Sequence, residues 1–419
     1  MKKTARVCSL LLAAVLVLSV SAGCTSSTPK PEEIIMWGAA TGASEELVNS
    51  FLARYNETAE VKVRYVAQED MVTKFLTGAI SGEVPDIMLW DRFLTPTYAP
   101  KNSFAALDAY VEKDGLDMSV FLAEPVKELT YNGSLYGIPM DADGWGLYIN
   151  LGLMAEKGLQ APETWDDLLH CAEALTLWEG ETLVRAGLSM YWLPGLFNSF
   201  IQTAGGSILT EDGLKTNFNN DTGKDVLDFW SKLLDARVYK NGFESGMGEG
   251  EDGFLTGRVA MAWGALSTMV TYEKYKTEGF EYQYLPMPAG PNGDLGGIMG
   301  GFSLVIPEKS ANKDEAWELM KWWLFDKENN LEWNKQSRTI TTYVEAMDDP
   351  FYLNDPNLRN GVEAMKSYKI RPPFPGYSSL ETNVVWGQIQ SLFEGKITAE
   401  QCLQSMTTEG DKLLSQYGQ

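Results

Sequence analysis

The stretch Tyr136-Gly-Ile-Pro-Met-Asp-Ala-Asp-Gly-Trp-Gly-Leu-Tyr-Ile-Asn150 is an apolar run that is interrupted by Pro139, two acidic residues and two glycines. A proline and glycines inside a strand pattern predict a bend, and Asp141, Asp143 and Trp145 alternate along one face of the extended chain. This pattern is typical of a crossing between two lobes that leaves side chains in the gap. We therefore predict a hinge that exposes two carboxylates and an indole. The alternative is an ordinary bent strand with a solvated acidic turn.

The first 23 residues have the pattern of a secretory signal peptide. Basic residues at the start precede an apolar run from Ser9 to Val20, which is too short to span a bilayer. The following Ser21-Ala-Gly-Cys24 resembles a bacterial lipobox, although Leu is commoner than Ser at its first position. We predict a signal peptide at 1–23 and a lipidated Cys24 that begins a tether at 24–33. A plain signal peptide with an incidental cysteine is the alternative.

Length and charge restrict the class of protein. A chain of 419 residues exceeds one compact core and predicts two lobes. The formal net charge is −23. The signal peptide contains basic but no acidic residues, so its removal would make the net charge more negative. This balance opposes binding to nucleic acid or to anionic lipid and favours a soluble monomer. We therefore expect an exported body that is held to the membrane by its lipid anchor only.

Cysteine and histidine usage argues against metal and triad chemistry. His170 is the only histidine in the chain, and no spaced carboxylate cluster joins it. We interpret it as a surface residue, and we predict no metal site, no cofactor and no Ser-His-Asp triad. After Cys24 only Cys171 and Cys402 remain in the chain. They are interpreted as buried small hydrophobic residues, with a disulfide as the alternative.

The first part of the body alternates strand and helix patterns. Strands near 34–37, 61–65 and 84–93 alternate with helices, one capped by Ser44 and one near 71–80, which predicts a parallel sheet. Ligands of such sheets bind at the carboxyl ends of the strands. Two of these strands end in tryptophan, and polar residues follow the second one. The candidate site residues are Trp37, Trp90, Asp91 and Arg92.

The second half of the chain contributes further aromatic residues. Gly187–Gly195 is predicted to be a strand that ends at Tyr191 and Trp192, with a helix from Phe197, and Phe254–Gly264 is a loop and strand that reaches Trp263. Residues 285–297 are rich in Pro and Gly and predict a second crossing between lobes. The strand beyond that crossing carries the last two candidates, Gly300 and Phe302. Residues 217–223 resemble a calcium loop only in part, and we interpret them as a turn and helix cap.

Several blocks of sequence resemble the extracellular solute-binding proteins of ABC importers, in the sugar-binding family that includes maltose-binding protein. Each block is a weak signal by itself, but their order behind a lipobox is strong and covers nearly the whole body. The blocks are Pro85-Asp-Ile-Met-Leu-Trp-Asp91, Tyr136-Gly-Ile-Pro139 through Leu147-Tyr-Ile-Asn150, Ala204-Gly-Gly206, Phe254-Leu-Thr-Gly-Arg-Val-Ala-Met261, Arg371-Pro-Pro373 and Leu392-Phe-Glu-Gly-Lys-Ile-Thr-Ala-Glu400.

The resemblance implies an α/β, periplasmic-binding-protein-like fold with two lobes, each a central β-sheet flanked by helices, joined by a hinge. Lobe 1 is expected at 34–140 plus about 284–340, and lobe 2 at 141–283 plus about 341–419. A carbohydrate would be held in the cleft by the candidate residues and delivered to the transmembrane permease subunits of an ABC importer. The protein would lie on the cell membrane, lipid-anchored and facing the extracellular side or the periplasm.

Two alternatives keep part of this interpretation. The same fold could bind a peptide or a polyamine, and the many acidic residues would suit a polyamine. A surface enzyme acting on glycans would need paired acids on opposite sides of the scissile bond, about 5–9 Å apart. Asp141 and Asp143 are instead neighbours on one strand face. We therefore expect a binding protein and not an enzyme.

Overall fold

The computed structural model describes residues 30–243 and 252–417. The predicted signal peptide and residues 24–29 of the predicted tether, including Cys24, lie outside the described residues. Glu33–Gln419 form one compact unit. Among the residues that the structure describes, none of the helices combines the length and the apolar character that a bilayer crossing requires.

The strands are short, apart from one of ten residues at the centre of the molecule. They are β1 Glu33–Gly38, β2 Lys62–Ala67, β3 Ile87–Asp91, β4 Thr130–Tyr131, β5 Ser134–Leu135, β6 Ile138–Pro139, β7 Asp141–Asn150, β8 Leu177–Glu179, β9 Thr182–Arg185, β10 Met261–Ala265, β11 Tyr282–Leu285, β12 Met299–Gly300, β13 Phe302–Val305 and β14 Ile340–Thr341.

The α-helices of the described residues are distributed along the chain between and after these strands. They are α1 Gly42–Thr58, α2 Met71–Ser81, α3 Thr95–Tyr98, α4 Asp108–Asp114, α5 Ala123–Glu128, α6 Leu151–Glu156, α7 Trp165–Leu175, α8 Leu193–Thr203, α9 Asp221–Asp235, α10 Thr268–Tyr275, α11 Lys313–Met320, α12 Lys327–Ser337, α13 Pro350–Asn354, α14 Pro356–Met365, α15 Tyr377–Leu380, α16 Trp386–Phe393 and α17 Ala399–Leu414.

The first lobe is built on a five-stranded sheet with the order β2-β1-β3-β13-β6. β1 runs parallel to β2 and β3, as the strand and helix alternation predicts, whereas β13 is antiparallel to β3 and β6. An aromatic core covers the sheet, with Phe51 of α1 4.8 Å from Trp323 and Trp323 4.9 Å from Trp333, measured between ring centroids. Buried rings of this size supply much of the apolar area that holds a lobe together.

The second lobe is organised around β7. β10 and β11 flank it in antiparallel register, and the short strands β12 and β14 pair with its first residues. Behind the sheet, α8 places Phe200 5.7 Å from Trp230 of α9 and 5.7 Å from Trp263 of β10. Each lobe therefore has its own sheet and its own hydrophobic core.

The chain passes between the two sheets at three places. It leaves β6 of the first sheet and enters β7 across Met140, as the opening stretch predicts. It returns across Gly301, between β12 and β13. It crosses again between α12 and β14. The second crossing is thus not at residues 285–297, because that segment stays on the second lobe, where Ala289 bridges Thr164.

Two local predictions were wrong. Helix α1 begins at Gly42 and not after Ser44, because Gly42 adopts a positive φ of 56° that turns the chain into the helix. Residues 187–190 are not a strand. The chain bends at Gly187 and Leu188, and Ser189 N donates to Met261 O at 2.8 Å. Helix α8 begins at Leu193 because Pro194 suits the first helical turn.

Several local predictions are confirmed. Asn220 of the 217–223 segment caps α9, as the interpretation of that segment as a turn and helix cap predicts. Cys171 and Cys402 are buried free thiols. His170 is exposed.

The crossing at Gly301 gives a direct test of the interlobe geometry. Its φ is 136°, and an added Cβ would lie 2.5 Å from Asp141 Oδ1 and also clash with Arg92. Gly82 also has a positive φ of 89°, but no atom lies within 4 Å of its added Cβ. We expect Gly82→Ala to destabilise by about 1 kcal/mol through backbone strain alone. Gly301→Ala should cost about 2 kcal/mol more, measured by urea unfolding. Equal losses for the two variants would contradict this packing.

Candidate functional site

A cavity of about 280 Å³ lies between the lobes. The loop after β1 and the start of α1 form one wall, α10 forms the opposite wall, and β7 and the end of α12 close it. Its lining residues are Ala39, Ala40, Ser44, Leu47, Val48, Leu89, Met140, Asp141, Asp143, Ser267, Val270, Phe302, Trp333, Ser337 and Thr339. Of the residues predicted from sequence, it therefore brings together Asp141, Asp143 and Phe302.

Asp143 is the carboxylate of the cavity with the simplest surroundings. It is 5% exposed, and it accepts hydrogen bonds from Ser267 N at 3.1 Å and from Ser267 Oγ at 2.6 Å. Burial raises the pKa of Asp143 to about 6, and the two donors of Ser267 act in the opposite direction. The carboxylate is therefore mostly ionised at neutral pH, and the donors that it contacts are neutral groups.

Asp141 lies two residues earlier on the same strand. It accepts from Phe302 N at 2.8 Å, and its carboxylate is 3.9 Å from Arg92 Nη1. Burial, followed by repulsion from Asp143, raises the pKa of Asp141 to about 7. We expected both carboxylates to be exposed by the bend. They are buried instead, because β12, β13 and β14 cover the start of β7.

Arg92 does not face the cleft. Its side chain is fully buried, and it donates to Glu128 Oε2 at 3.0 Å, to Gly300 O at 2.6 Å and to Asp141 O. In this arrangement it has no surface with which to contact a ligand, contrary to our expectation. Arg92 therefore acts as an internal tie between the two lobes, and Gly300 contributes its carbonyl to that tie.

Two predicted tryptophans are core residues. Trp90 is fully buried between Phe104 at 5.1 Å and Tyr98 at 5.6 Å, because alternate residues of β3 face opposite sides and Leu89 takes the cavity side. Trp263 is 5% exposed and packs edge-on against α8. Trp37 is partly buried against the first-lobe cluster around Trp90. None of the three lines the cavity.

Trp145 and Trp192 form an aromatic pair on the second lobe, and the Trp192 ring lies 5.4 Å from Arg371, which contacts Asp91 of the first lobe. Their ring centroids are 4.2 Å apart with an interplanar angle of 37°, although the residues lie on different elements. Trp192 has a positive φ of 52°, and Gly195 leaves room for its ring, since a Cβ there would clash with the indole. Strained backbone at an aromatic residue is typical of functional sites. The neighbouring Tyr191 is 61% exposed.

Sequence reasoning missed Arg371 and Phe93. The guanidinium of Arg371 is 3.1 Å from Asp91 Oδ1 and 3.6 Å from the ring centroid of Phe93. Arg371 belongs to a quoted motif, but no local pattern shows that it reaches a strand 280 residues earlier in the chain. Ser267 and the alanines of the cavity were also missed. Only the small-residue loop after β1 could have indicated the alanines.

The raised pKa of Asp143 predicts how the stability of the protein depends on pH. Between about pH 4 and pH 6 the folded state keeps a proton that the unfolded state releases. The contribution of Asp143 to the free energy of unfolding therefore falls as the pH rises through this window. Asp143→Asn should flatten the decline, measured by urea unfolding at pH 4, 5, 6 and 7. Ser267→Ala, which removes a donor to the ionised form, should extend the decline to higher pH. Parallel pH profiles for all three proteins would contradict the assignment.

The chain is similar to a known family of proteins. Residues 40–330 match the family model of the bacterial extracellular solute-binding protein. The lactose-binding protein of Rhizobium radiobacter is 26% identical over 287 residues, which cover 65% of this chain and 64% of that protein.

Solved structures show the same fold. An ABC transporter solute-binding protein from Thermotoga lettingae with bound α-D-tagatose superposes with a TM-score of 0.80 at 22% identity, over 92% of this chain and 100% of that one. The sugar-binding protein MalE of Xanthomonas citri gives 0.75 at 20% identity, over 92% and 98%. The chain belongs to the bacterial extracellular solute-binding protein family of ABC importers, with a two-lobed α/β fold.

Proposed function

We propose that this protein captures a carbohydrate between its lobes and delivers it to the transmembrane permease of an ABC importer. The observation that carries the proposal is the combination of a buried carboxylate, Asp143, with the adjacent indoles of Trp145 and Trp192 in one interlobe region. The names of the lactose-binding relative and of the tagatose-bound neighbour support the same class of ligand.

The chemistry of the two parts suits a sugar. Hydroxyl groups donate hydrogen bonds to a carboxylate without a cationic partner, and bonds to a charged acceptor are stronger than neutral ones. The flat C–H faces of a sugar ring pack on indoles. We propose Asp143 and Phe302 as ligand contacts in the cavity, and Trp145, Trp192 and Tyr191 as contacts at the aromatic part.

The charge of the region disfavours anionic solutes. The buried or half-buried acids Asp91, Glu128, Asp141, Asp143 and Glu381 outnumber the two guanidiniums, those of Arg92 and Arg371, although burial raises the pKa of Glu128 and Asp141 to about 7 and so reduces the excess of negative charge at neutral pH. A phosphate or carboxylate ligand would add repulsion in a region of low dielectric. The same excess would suit a polyamine or a basic peptide, which is the second candidate class.

The acids do not form a catalytic pair in this proposal. Asp141 is held by Phe302 N and lies near Arg92, and Asp143 is held by Ser267. Both project from one strand and not from opposite sides of a substrate site. We therefore propose a binding protein without turnover, in keeping with its transport relatives.

The division of the chain and its anchoring complete the proposal. The crossings support lobe 1 at 34–140 plus about 302–340, and lobe 2 at 141–300 plus about 341–419, which moves residues 284–300 to lobe 2.

Residues 1–23 would be removed, and Cys24 would carry a lipid that holds a monomer to the outer face of the membrane through the tether at 24–33. Mass spectrometry of the mature N-terminus tests this anchor.

A thermal-shift panel tests the ligand class. Residues 30–419 are heated with monosaccharides and oligosaccharides at millimolar concentration, including lactose and tagatose. A ligand present at one hundred times its dissociation constant stabilises the folded state by ~2.7 kcal/mol, which raises the melting temperature by about 3 °C. We expect at least one sugar to give such a shift, and Asp143→Ala and Trp192→Leu each to abolish it.

Trp178→Leu provides the matched control. Trp178 lies on the β8–β9 hairpin and packs against Arg237, which follows α9. Replacement of Trp178 should leave the sugar-induced shift intact. Shifts with polyamines or basic peptides and with no sugar would overturn the carbohydrate assignment while keeping the two-lobed fold. Persistence of the shift in both site variants would place the ligand elsewhere.

A further inference from the structure

Several ion pairs of the described residues connect the two lobes, and two of them differ in burial. Arg371 Nη2 lies 3.1 Å from Asp91 Oδ1, and the arginine side chain is 5% exposed and the aspartate side chain 32% exposed. Lys274 Nζ on α10 lies 2.7 Å from Glu46 Oε2 on α1, but these side chains are 35% and 72% exposed. Exposed pairs contribute little because water screens them, whereas a pair with one buried partner is coupled more strongly to the arrangement that buries it.

Arg371 is enclosed by groups from both lobes. Asp91 ends β3 of the first lobe, and Phe93 beyond it places its ring 3.6 Å from the guanidinium. On the second lobe, Glu381 Oε2 is 3.9 Å from Arg371 Nη1, and the Trp192 ring is 5.4 Å away. Burial lowers the pKa of Arg371, but the surrounding carboxylates outweigh it and raise the pKa. The guanidinium is therefore a permanent charge at the lobe contact.

The second lobe holds Glu381 in place through a buried chain of hydrogen bonds. Tyr377 Oη donates to Glu381 Oε1 at 3.0 Å and accepts from Asn198 Nδ2 at 2.8 Å. Asn198 Oδ1 in turn accepts from Gln202 Nε2 at 3.0 Å. Because these groups all belong to the second lobe, they can orient Arg371 before the lobes meet. The contact with Asp91 then adds only when the lobes are together.

One donor of Arg371 has no partner in the contact, which favours a contact that can break. Arg371 Nε is buried and has no acceptor among the residues that the structure describes. A buried donor without a partner costs free energy, and water would satisfy it once the lobes part. The gain from Asp91 in the closed arrangement thus opposes a gain from hydration in the open one. Opposing terms of this kind suit a reversible contact better than a permanent one.

We infer that Arg371 is a positioning residue that latches the second lobe to Asp91 and so sets the balance between open and closed lobes. Asp91 then serves the latch through its carboxylate, and retention of a solute beside Trp145 and Trp192 depends on it. The inference rests on the proposed function in one respect, which is that the lobes open and close around a solute.

Small-angle X-ray scattering of residues 30–419 without any ligand tests the latch. Arg371→Lys retains the charge but loses the planar fork, and Asp91→Asn retains the size but loses the charge. Both variants should show a larger radius of gyration and a larger maximum dimension than the wild type. Lys274→Ala breaks the exposed interlobe pair and is the matched control, and its scattering should equal that of the wild type.

Folding is checked by far-UV circular dichroism, so that Asp91→Asn decides the outcome if Arg371→Lys does not fold. Identical scattering of the wild type and the folded latch variants overturns the inference, as does an equal expansion of Lys274→Ala. Because no sugar is present, this result is independent of the thermal-shift panel. If Asp91→Asn is expanded but the wild type responds to no sugar in the panel, the latch is retained and the carbohydrate assignment is rejected.

Discussion

The buried guanidinium of Arg92 is the interaction on which the arrangement of the two lobes depends. Arg92 directly follows β3, and its guanidinium donates to the carboxylate of Glu128 on α5, to the carbonyl of Asp141 on β7 and to the carbonyl of Gly300. Two of the three crossings are therefore tied to one side chain. A buried charge is tolerated only when it is paired and its hydrogen bonds are made. Any displacement of β7 relative to β13 would break several of these bonds together.

This constraint explains why the candidate site lies where it does. β7 begins among strands at the hinge and ends in the second-lobe sheet, so its side chains pass from the hinge into the cleft. Asp141 accepts a hydrogen bond from Phe302 N at the hinge. Asp143 faces the cavity, and Trp145 contacts the ring of Trp192. The hinge and the candidate binding surface therefore occupy alternate positions of a single strand. Lobe movement can therefore be coupled to a ligand that contacts those positions.

The sequence predicted the fold class, the opening hinge and several of the helices, because these follow from periodicity and from proline and glycine. It predicted less of the site. Trp90 was assigned to the cleft because it ends a strand, but the register of β3 turns it into the core and turns Leu89 to the cavity. Arg371 was missed since its contact with Asp91 joins distant parts of the chain. Register and long-range pairing are set by tertiary packing, which local patterns do not contain.

Hydrogen exchange of residues 30–419, measured by mass spectrometry with and without the sugars of the panel, tests the central claim most directly. If a carbohydrate is held between the lobes, peptides that contain β7, the segment at Trp192 and the loop between β1 and α1 should exchange more slowly when it is bound. The β8–β9 hairpin should be unchanged. Protection confined to the hairpin or to the outer helices, with none at β7, would contradict the account.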